Sequence, residues 1–259
     1  MSHPAINLSQ RMSQEIGHPF IELQSVDSTN NYAMGQVHAG LAFHGAAFFA
    51  HEQTAGKGQR GKNWLSIPGE NIILSIVLEP GRLQIDKPFL LSACIALGCH
   101  DFFKKYIKGE IFIKWPNDIY WRDRKAGGIL IESVIRGRDW LFAVAGIGLN
   151  INQARFPESL PNPVSMRQIT GEVFPVTALA KELCRFVQLR YQVLQNQEAA
   201  SILDQYNLLL YKRNEKVRFK TAAGLLETTI GEVNLDGSLI TFDQIERRFE
   251  FGEVEWLLY

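Results

Sequence analysis

Little in these 259 residues points to metal, disulfide or secretory chemistry. The three cysteines, Cys94, Cys99 and Cys184, all lie in apolar helical patterns and form no C-x-x-C pair, so they read as buried thiols. His18, His38, His44, His51 and His100 make no H-E-x-x-H spacing, and no G-x-S-x-G elbow is present, which leaves out a zinc hydrolase and a serine hydrolase. The opening MSHPAINLSQRMSQ has no apolar run behind a basic flank, and no apolar stretch approaches the roughly 18 residues of a membrane helix. A cytoplasmic, non-membrane protein is the expectation. Charge of neither sign is in excess. The 27 Lys and Arg balance the 27 Asp and Glu, which disfavours a general nucleic-acid binder but leaves room for a local anion site.

What the sequence does have is a glycine and cation run, Q-T-A-G-K-G-Q-R-G-K-N-W, from Gln53 to Trp64. Gly56, Gly58 and Gly61 let the backbone turn tightly and approach a ligand, and Lys57, Arg60 and Lys62 can meet phosphate oxygens. The run matches neither G-x-G-x-x-G nor G-x-x-x-x-G-K-[ST], because Lys62 and Asn63 follow Gly61 and no hydroxyl stands ready for a magnesium ion. A solvated surface turn is the plain alternative. A loop that orders around an anionic or adenylated ligand fits three glycines and a closing tryptophan better.

Three further motifs carry chemistry. In K-W-P-N-D-I, Lys114 to Ile119, Pro116 holds its predecessor extended and leaves Asn117 and Asp118 at the carboxyl end of a strand, where α/β proteins place polar chemistry. In R-K-A-G-G-I-L-I-E, Arg124 to Glu132, Lys125 precedes the small residues Ala126, Gly127 and Gly128 at the mouth of a buried strand, from which a compact charge can reach a carboxylate and a phosphate together. In A-G-I-G-L-N-I-N, Ala145 to Asn152, Gly146 and its companion glycine mark a close approach within an apolar strand, and Asn150 and Asn152 share a side if that strand continues. Singly, the first two read equally well as a turn and a solvated lysine, while a plain glycine bulge is the weaker reading of the third.

The element pattern is mixed. Strands are expected at Ile21–Leu23, Ala46–His51, Asn71–Leu78, Ile111–Trp115, Gly128–Ile135 and Trp140–Ile151. Helices are expected after Asp27, Ser28 and Thr29, from Pro88, from Pro175, and from Glu198 to Leu210. A Pro- and Asn-rich crossover fills Phe156 to Phe174. Beyond Tyr211 the chain reads as short strands with Gly and Asp-Gly turns, as in a small barrel packed on an α/β body.

Together with D-S-T-N, Asp27 to Asn30, these motifs in this order closely resemble the catalytic body of biotin protein ligase, from about residue 20 onward. The resemblance implies a mixed-sheet α/β catalytic domain of the class II aminoacyl-tRNA synthetase type over 1–211. A small SH3-like β-barrel over 212–259 would follow it. It implies an ATP-dependent biotin--[biotin carboxyl-carrier protein] ligase, with Mg2+ as the expected ion and no metal ligands legible. Such an enzyme makes biotinyl-5′-adenylate and pyrophosphate, then passes biotin to a lysine of a carrier protein or domain. Ser28, Thr29, Asn30 and Gln53 match positions of the biotin pocket, with Gly128 beside it. Gly56, Lys57, Gly58, Gln59, Arg60, Gly61 and Lys62 match the closing loop, and Trp64 the residue organising the adenine side. Lys114, Asn117 and Asp118 match the phosphate end. Gly146 and Asn150 match the flanking strand. Lys125, Asp118 and Arg60 are the expected catalytic groups.

Two departures stand out. The usual loop has arginine at the positions of Lys57 and Gln59, and Gln59 removes a charge beside the adenylate, which implies a shorter hold on the intermediate. The family's repressor-type members begin with a winged-helix domain. With D-S-T-N at residue 27 there is no room for it, so operator binding is not expected. Lipoate–protein ligase with the same adenylation chemistry, and a non-catalytic biotin- or nucleotide-binding regulator, are the alternatives. Pairing of two copies through an edge of the central sheet is compatible with the apolar strands.

Overall fold

The computed structural model describes residues 15–81, 83, 87–196 and 199–257. Its body is a seven-stranded mixed sheet in the order β1-β2-β3-β7-β6-β5-β4. The strands are β1 (Phe20–Val26), β2 (Ala47–Gln53), β3 (Ile72–Leu78), β4 (Ile111–Lys114), β5 (Asp118–Trp121), β6 (Arg124–Arg136) and β7 (Asp139–Leu149). β1 and β2 run parallel, and every other neighbouring pair is antiparallel.

The strand I-I-L-S-I-V-L of β3 is buried at every position, because helices cover both faces of the sheet. Alternation assigns the faces. Ile72, Leu74, Ile76 and Leu78 join the main core with helices α2 (Pro88–Tyr106) and α4 (Val176–Gln195). Val77 turns to the other face and packs with Ala33 and Val37 of α1 (Thr29–His38). Ser75 shares that second face, a lone hydroxyl in an apolar strand. Pro88 starts α2 as expected, and that helix is buried nearly all round because α4 and α5 (Ala199–Leu208) pack against the side away from the sheet. The start expected at Glu198 lies outside the described residues.

Several expectations change. Asp118 is not a loop residue beyond a strand end. It opens β5, which turns back on β4 so that Lys114 pairs with Asp118 and Ile113 with Ile119. The β-prone D-I-Y-W was hidden by the turn signal of Pro116 and Asn117 in front of it. Lys125 also sits inside a strand, since β6 runs unbroken from Arg124 through both glycines. The Pro-rich crossover contains a one-turn helix α3 (Met166–Thr170), capped reciprocally by Ser165 and Gln168. β7 ends at Leu149, so Asn150 and Asn152 belong to the segment after it.

The C-terminal part is not a closed barrel. Strands β8 (Lys216–Thr221), β9 (Gly224–Val233), β10 (Leu239–Phe242), β11 (Glu246–Phe249) and β12 (Glu255–Trp256) form an open sheet, in the order β11-β10-β9-β8-β12. Closure requires the two outer strands to pair. Here those strands are only four and two residues long and lie at opposite edges. The sheet instead buries its apolar face on the body: Phe219, Ile230, Val233 and Leu239 are part of the main core. Trp115 Nε1 donates to Gly237 O at 2.8 Å, and Asn207 of α5 bonds Val233 through both its amide groups.

Candidate active site

The site gathers where β6 and β7 run side by side, between α1 and the glycine loop. Lys125 is fixed by its backbone. Its N–H donates to Asn162 O at 2.8 Å, its carbonyl accepts from Val164 N at 2.8 Å, and Asn150 Nδ2 reaches the same carbonyl at 3.3 Å. Its ammonium then meets Asp118 Oδ1 at 2.7 Å across the β5–β6 pair, with both side chains partly exposed. Gly128 is the partner of Asp118 in that pair, and a Cβ there would lie 3.2 Å from Asp118 Oδ1 and 3.4 Å from Lys125 Nζ. The missing side chain therefore leaves room for the ion pair. Asn117 binds Ile129 twice, by its carbonyl to Ile129 N at 3.0 Å and by its amide to Ile129 O.

The glycine loop folds over this pair. Gly58 N donates to Lys62 O at 2.6 Å and Trp64 N to Gly56 O at 2.9 Å, so the loop forms a closed lobe around a short 3₁₀ turn, Gln59–Gly61. Trp64 lies flat against Gly148, where a Cβ would come 2.5 Å from its Cε2. Lys125 Nζ stands 6.0 Å from the Trp64 ring centroid. The indole Nε1 is buried with no hydrogen-bond partner. Among the loop's polar side chains, Lys57 Nζ is 4.0 Å from Glu132, and Gln59 Nε2 donates to Ile129 O at 3.3 Å. Arg60, with φ 55, turns toward the C-terminal part and donates to Gly252 O at 2.8 Å. Lys62 is exposed.

The other end of the site is buried and hydrogen-bonded among its own residues. Ser28 sits at the N-cap of α1, and Ser28, Thr29 and Asn30 are all buried. Gln53 Oε1 accepts from Thr29 N at 2.8 Å. Ser75 Oγ lies 2.8 Å from Thr29 Oγ1 and 2.6 Å from Asn30 Oδ1, and Asn30 Nδ2 donates to Glu132 Oε2 at 2.8 Å. Gly146 makes this possible, because a Cβ there would fall on Asn30 Oδ1.

Lys114 is different from every other cation here. It is 9% exposed, its Nζ donates to Tyr120 OH at 3.2 Å, and the ammonium lies over the rings of Tyr120 at 4.9 Å and Trp256 at 5.1 Å. Burial pulls it down to about 8, against the opposing pull of Asp118.

The structure thus brings together the expected residues of the four motifs, while Arg60 points away from the Lys125–Asp118 pair toward Gly252. Ser75, Glu132 and Trp256 are not among the residues to which the sequence points, whereas Gly148, the companion glycine of Gly146, makes its close approach to Trp64. Ser75 could have been found as the one polar letter in an apolar strand, and Glu132 as the acid ending G-I-L-I-E. Trp256 carries no local signal. An open groove of about 530 Å³ lies elsewhere, between α5 and the β9–β10 turn, lined by Lys87, Asp204, Glu232 and Asp236 among others. It holds none of the motif residues, and the chemistry concentrates at the glycine loop.

Solved structures share this fold. Biotin protein ligase from Aquifex aeolicus, in complex with biotin and ATP, superposes with a TM-score of 0.78 at 20% identity, over 92% of this chain and 97% of that one. The class is therefore the α/β fold of the biotin protein ligases. Residues 22–150 match the model of the Biotin/lipoate A/B protein ligase family. The chain belongs to that family. It is 30% identical over 208 residues to the bifunctional ligase/repressor BirA of Escherichia coli, covering 79% of this chain and 63% of that protein. It is 33% identical over 162 residues to the biotin--[acetyl-CoA-carboxylase] ligase of Paracoccus denitrificans, covering 58% of this chain and 63% of that protein. The chain thus spans under two thirds of the length of these curated relatives. Among the described residues no helix is long and apolar enough to cross a membrane.

Proposed function

We propose that this chain activates biotin with ATP as biotinyl-5′-adenylate and transfers it to a lysine of a carrier protein or domain. The observation that carries the reading is the Lys125–Asp118 pair at 2.7 Å, kept open by Gly128 and covered by Trp64 of the glycine loop. The names of the curated relatives favour biotin over lipoate.

In the first step a carboxylate oxygen of biotin bonds to the α-phosphorus of ATP as the bond to pyrophosphate breaks. Both reactants are anions, and Lys125 supplies positive charge where negative charge builds. Lys114, a buried cation without a carboxylate at ion-pair distance among the described residues, is suited to a phosphate oxygen. The loop's Lys57 and Lys62 add charge around the product, Arg60 ties the lobe to the C-terminal sheet through Gly252 O, and Trp64 offers a flat face beside the product. A mixed anhydride is open to hydrolysis, so a lobe that closes over it and excludes water protects the intermediate. In the second step a neutral lysine amine of the carrier bonds to the acyl carbon and AMP leaves. Asp118 is placed to receive the amine proton if Lys125 Nζ yields its oxygen.

Mg2+ fits this site only as an ion carried by the nucleotide. Among the described residues there is no cluster of three or more metal-binding side chains. Magnesium is commonly held by one or two carboxylates plus substrate phosphates, a set that Asp118, with the amide oxygen of Asn117, can complete. Bound there, it would neutralise phosphate charge.

The test is ATP-dependent pyrophosphate release and labelled transfer, offering biotin and lipoate separately. Biotin-dependent release is expected, with Lys125→Ala lowering it roughly a hundredfold, the scale of a lost electrostatic stabiliser. Labelling by lipoate alone, or biotin binding without pyrophosphate release, would overturn the reading.

A further inference from the structure

The closed end of the site contains a chain of hydrogen bonds whose direction is set from one end. Amide orientation and hydroxyl protons follow from the network around them. A carboxylate only accepts, so the Glu132 oxygen at 2.8 Å, helped by Leu130 O at 3.3 Å, requires the amide nitrogen of Asn30, which turns the Asn30 carbonyl toward Ser75. That carbonyl accepts at 2.6 Å and consumes the single proton of Ser75. Ser75 then has none for Thr29, 2.8 Å away. The Thr29 proton is left to two protein acceptors, Ser75 Oγ and Gln53 Oε1 at 3.1 Å. Gln53 Oε1 also accepts from Thr29 N, which leaves its amide nitrogen as the free donor, against Gly56. Thr29 therefore offers a ligand only lone pairs.

Resting on the biotin reading above, we propose that Glu132 is a positioning residue that fixes the donor–acceptor polarity of the ring pocket, and through it the preference for a ring carrying N–H donors. With a nonpolar side chain at 132, only the longer bond to Leu130 O, at 3.3 Å, still opposes a flip of the Asn30 amide. Ser75 would then donate to Thr29, leaving Gln53 Oε1 at 3.1 Å, already shared with Thr29 N, as the one remaining protein acceptor named here for the Thr29 proton, so that the hydroxyl can turn its proton to the ligand and oppose a ligand N–H. The second oxygen of Glu132 faces Lys57 of the loop at 4.0 Å, so the same carboxylate links ring recognition to the first cation of the lobe. A carboxylate serving only as a partner for Lys57 would not discriminate between rings.

The experiment compares kcat/KM for pyrophosphate release with biotin and with an analogue methylated on both ring nitrogens, in the wild type, Glu132→Leu and Glu132→Gln. In Glu132→Leu the biotin value should fall roughly tenfold to a hundredfold, the scale of a mispaired buried hydrogen-bonding group, mostly through KM. The analogue's value should change far less, so the ratio collapses while KM for ATP holds. Glu132→Gln retains an oxygen for Asn30 and should recover most of the ratio. A wild type that uses lipoate and not biotin would sink the functional reading itself. A wild type that uses biotin, with Glu132→Leu lowering both ligands in equal proportion or sparing biotin, would overturn the assignment to Glu132 alone. Should Glu132→Leu fail to fold, Glu132→Gln decides the matter: recovery of the ratio supports the assignment, and a collapsed ratio in this folded, near-isosteric variant refutes it.

Discussion

The two ends of the candidate site are built on opposite principles. At the closed end, Thr29, Asn30 and Ser75 are at most 3% exposed, and their polar side-chain atoms meet one another, Gln53, Glu132 or the Leu130 carbonyl. At the loop end, Lys57, Arg60 and Lys62 are exposed, and their contacts are a 4.0 Å approach and a bond to a distant carbonyl. Buried directional bonds discriminate, because a wrong ligand leaves a desolvated group unpaired. Exposed cations attract any anion, are screened by salt and can move. The contrast matches the proposed chemistry: recognise one neutral ring strictly, and hold a phosphate chain that must leave twice, as pyrophosphate and then as AMP.

Lys114 breaks the contrast, since it is a cation yet buried, and it carries the largest expected effect. Its folded-state value, about 8, lies below the ordinary 10.5, so between those values the unfolded chain binds more protons and stability rises with pH. Below about 8 the cost of the buried charge is fully present; above 10.5 it is gone. At one unit per roughly 1.4 kcal/mol, the cost at neutral pH is on the order of 3 kcal/mol. Lys114→Met should therefore be more stable to denaturant at neutral pH by up to about that amount, and the gain should shrink by about pH 10. The same variant should lose activity. A gain in stability with undiminished turnover would separate Lys114 from the phosphates.

The second effect sharpens the closed end. In Gly146→Ala the new methyl group meets Asn30 Oδ1 in a buried network with no slack. Overpacking of this kind costs about 1 to 3 kcal/mol. KM for biotin should rise well before KM for ATP does. Equal increases would mean that the two ends are not separate.

Much of this was legible in the sequence, and the reasons are local. Glycines beside cations, a lysine before two glycines and an Asn-Asp after proline are read from adjacent letters, and the body strands announce themselves by apolar runs such as I-I-L-S-I-V-L. What stayed hidden depends on distant partners. Strand D-I-Y-W exists because it pairs with I-F-I-K before it and with the glycine strand after it. The C-terminal strands alternate as a barrel's would, but the apolar face that a barrel closes on itself is here closed by the body, and alternation does not tell the two apart. Likewise, nothing near Lys114 in the sequence foretells a ring from residue 256, and nothing near Arg60 foretells a carbonyl 192 residues away.

That last bond supports the smallest expected effect and tests the loop end most directly. Arg60 holds a left-handed backbone, an uncommon state for a side chain other than glycine, and spends its guanidinium on Gly252 O. Its contact ties the tip of the lobe to the C-terminal sheet, so Arg60→Ala should loosen the lobe rather than remove a reacting group. Exposed single contacts of this kind are worth less than about 1 kcal/mol. Global stability should hardly change, while cleavage by a protease at Lys57 or Lys62 should quicken in the free protein and slow again with biotin and ATP present. Gly252→Ala approaches the same contact from the other side, because its Cβ would come 2.8 Å from Arg60 Cζ, although φ of 93 adds strain of its own. If both variants leave loop cleavage as slow as in the wild type, the C-terminal sheet does not hold the lobe. If Arg60→Ala instead abolishes pyrophosphate release while Gly252→Ala spares it, Arg60 acts on the phosphates directly and the two ends of the site differ less than their burial suggests.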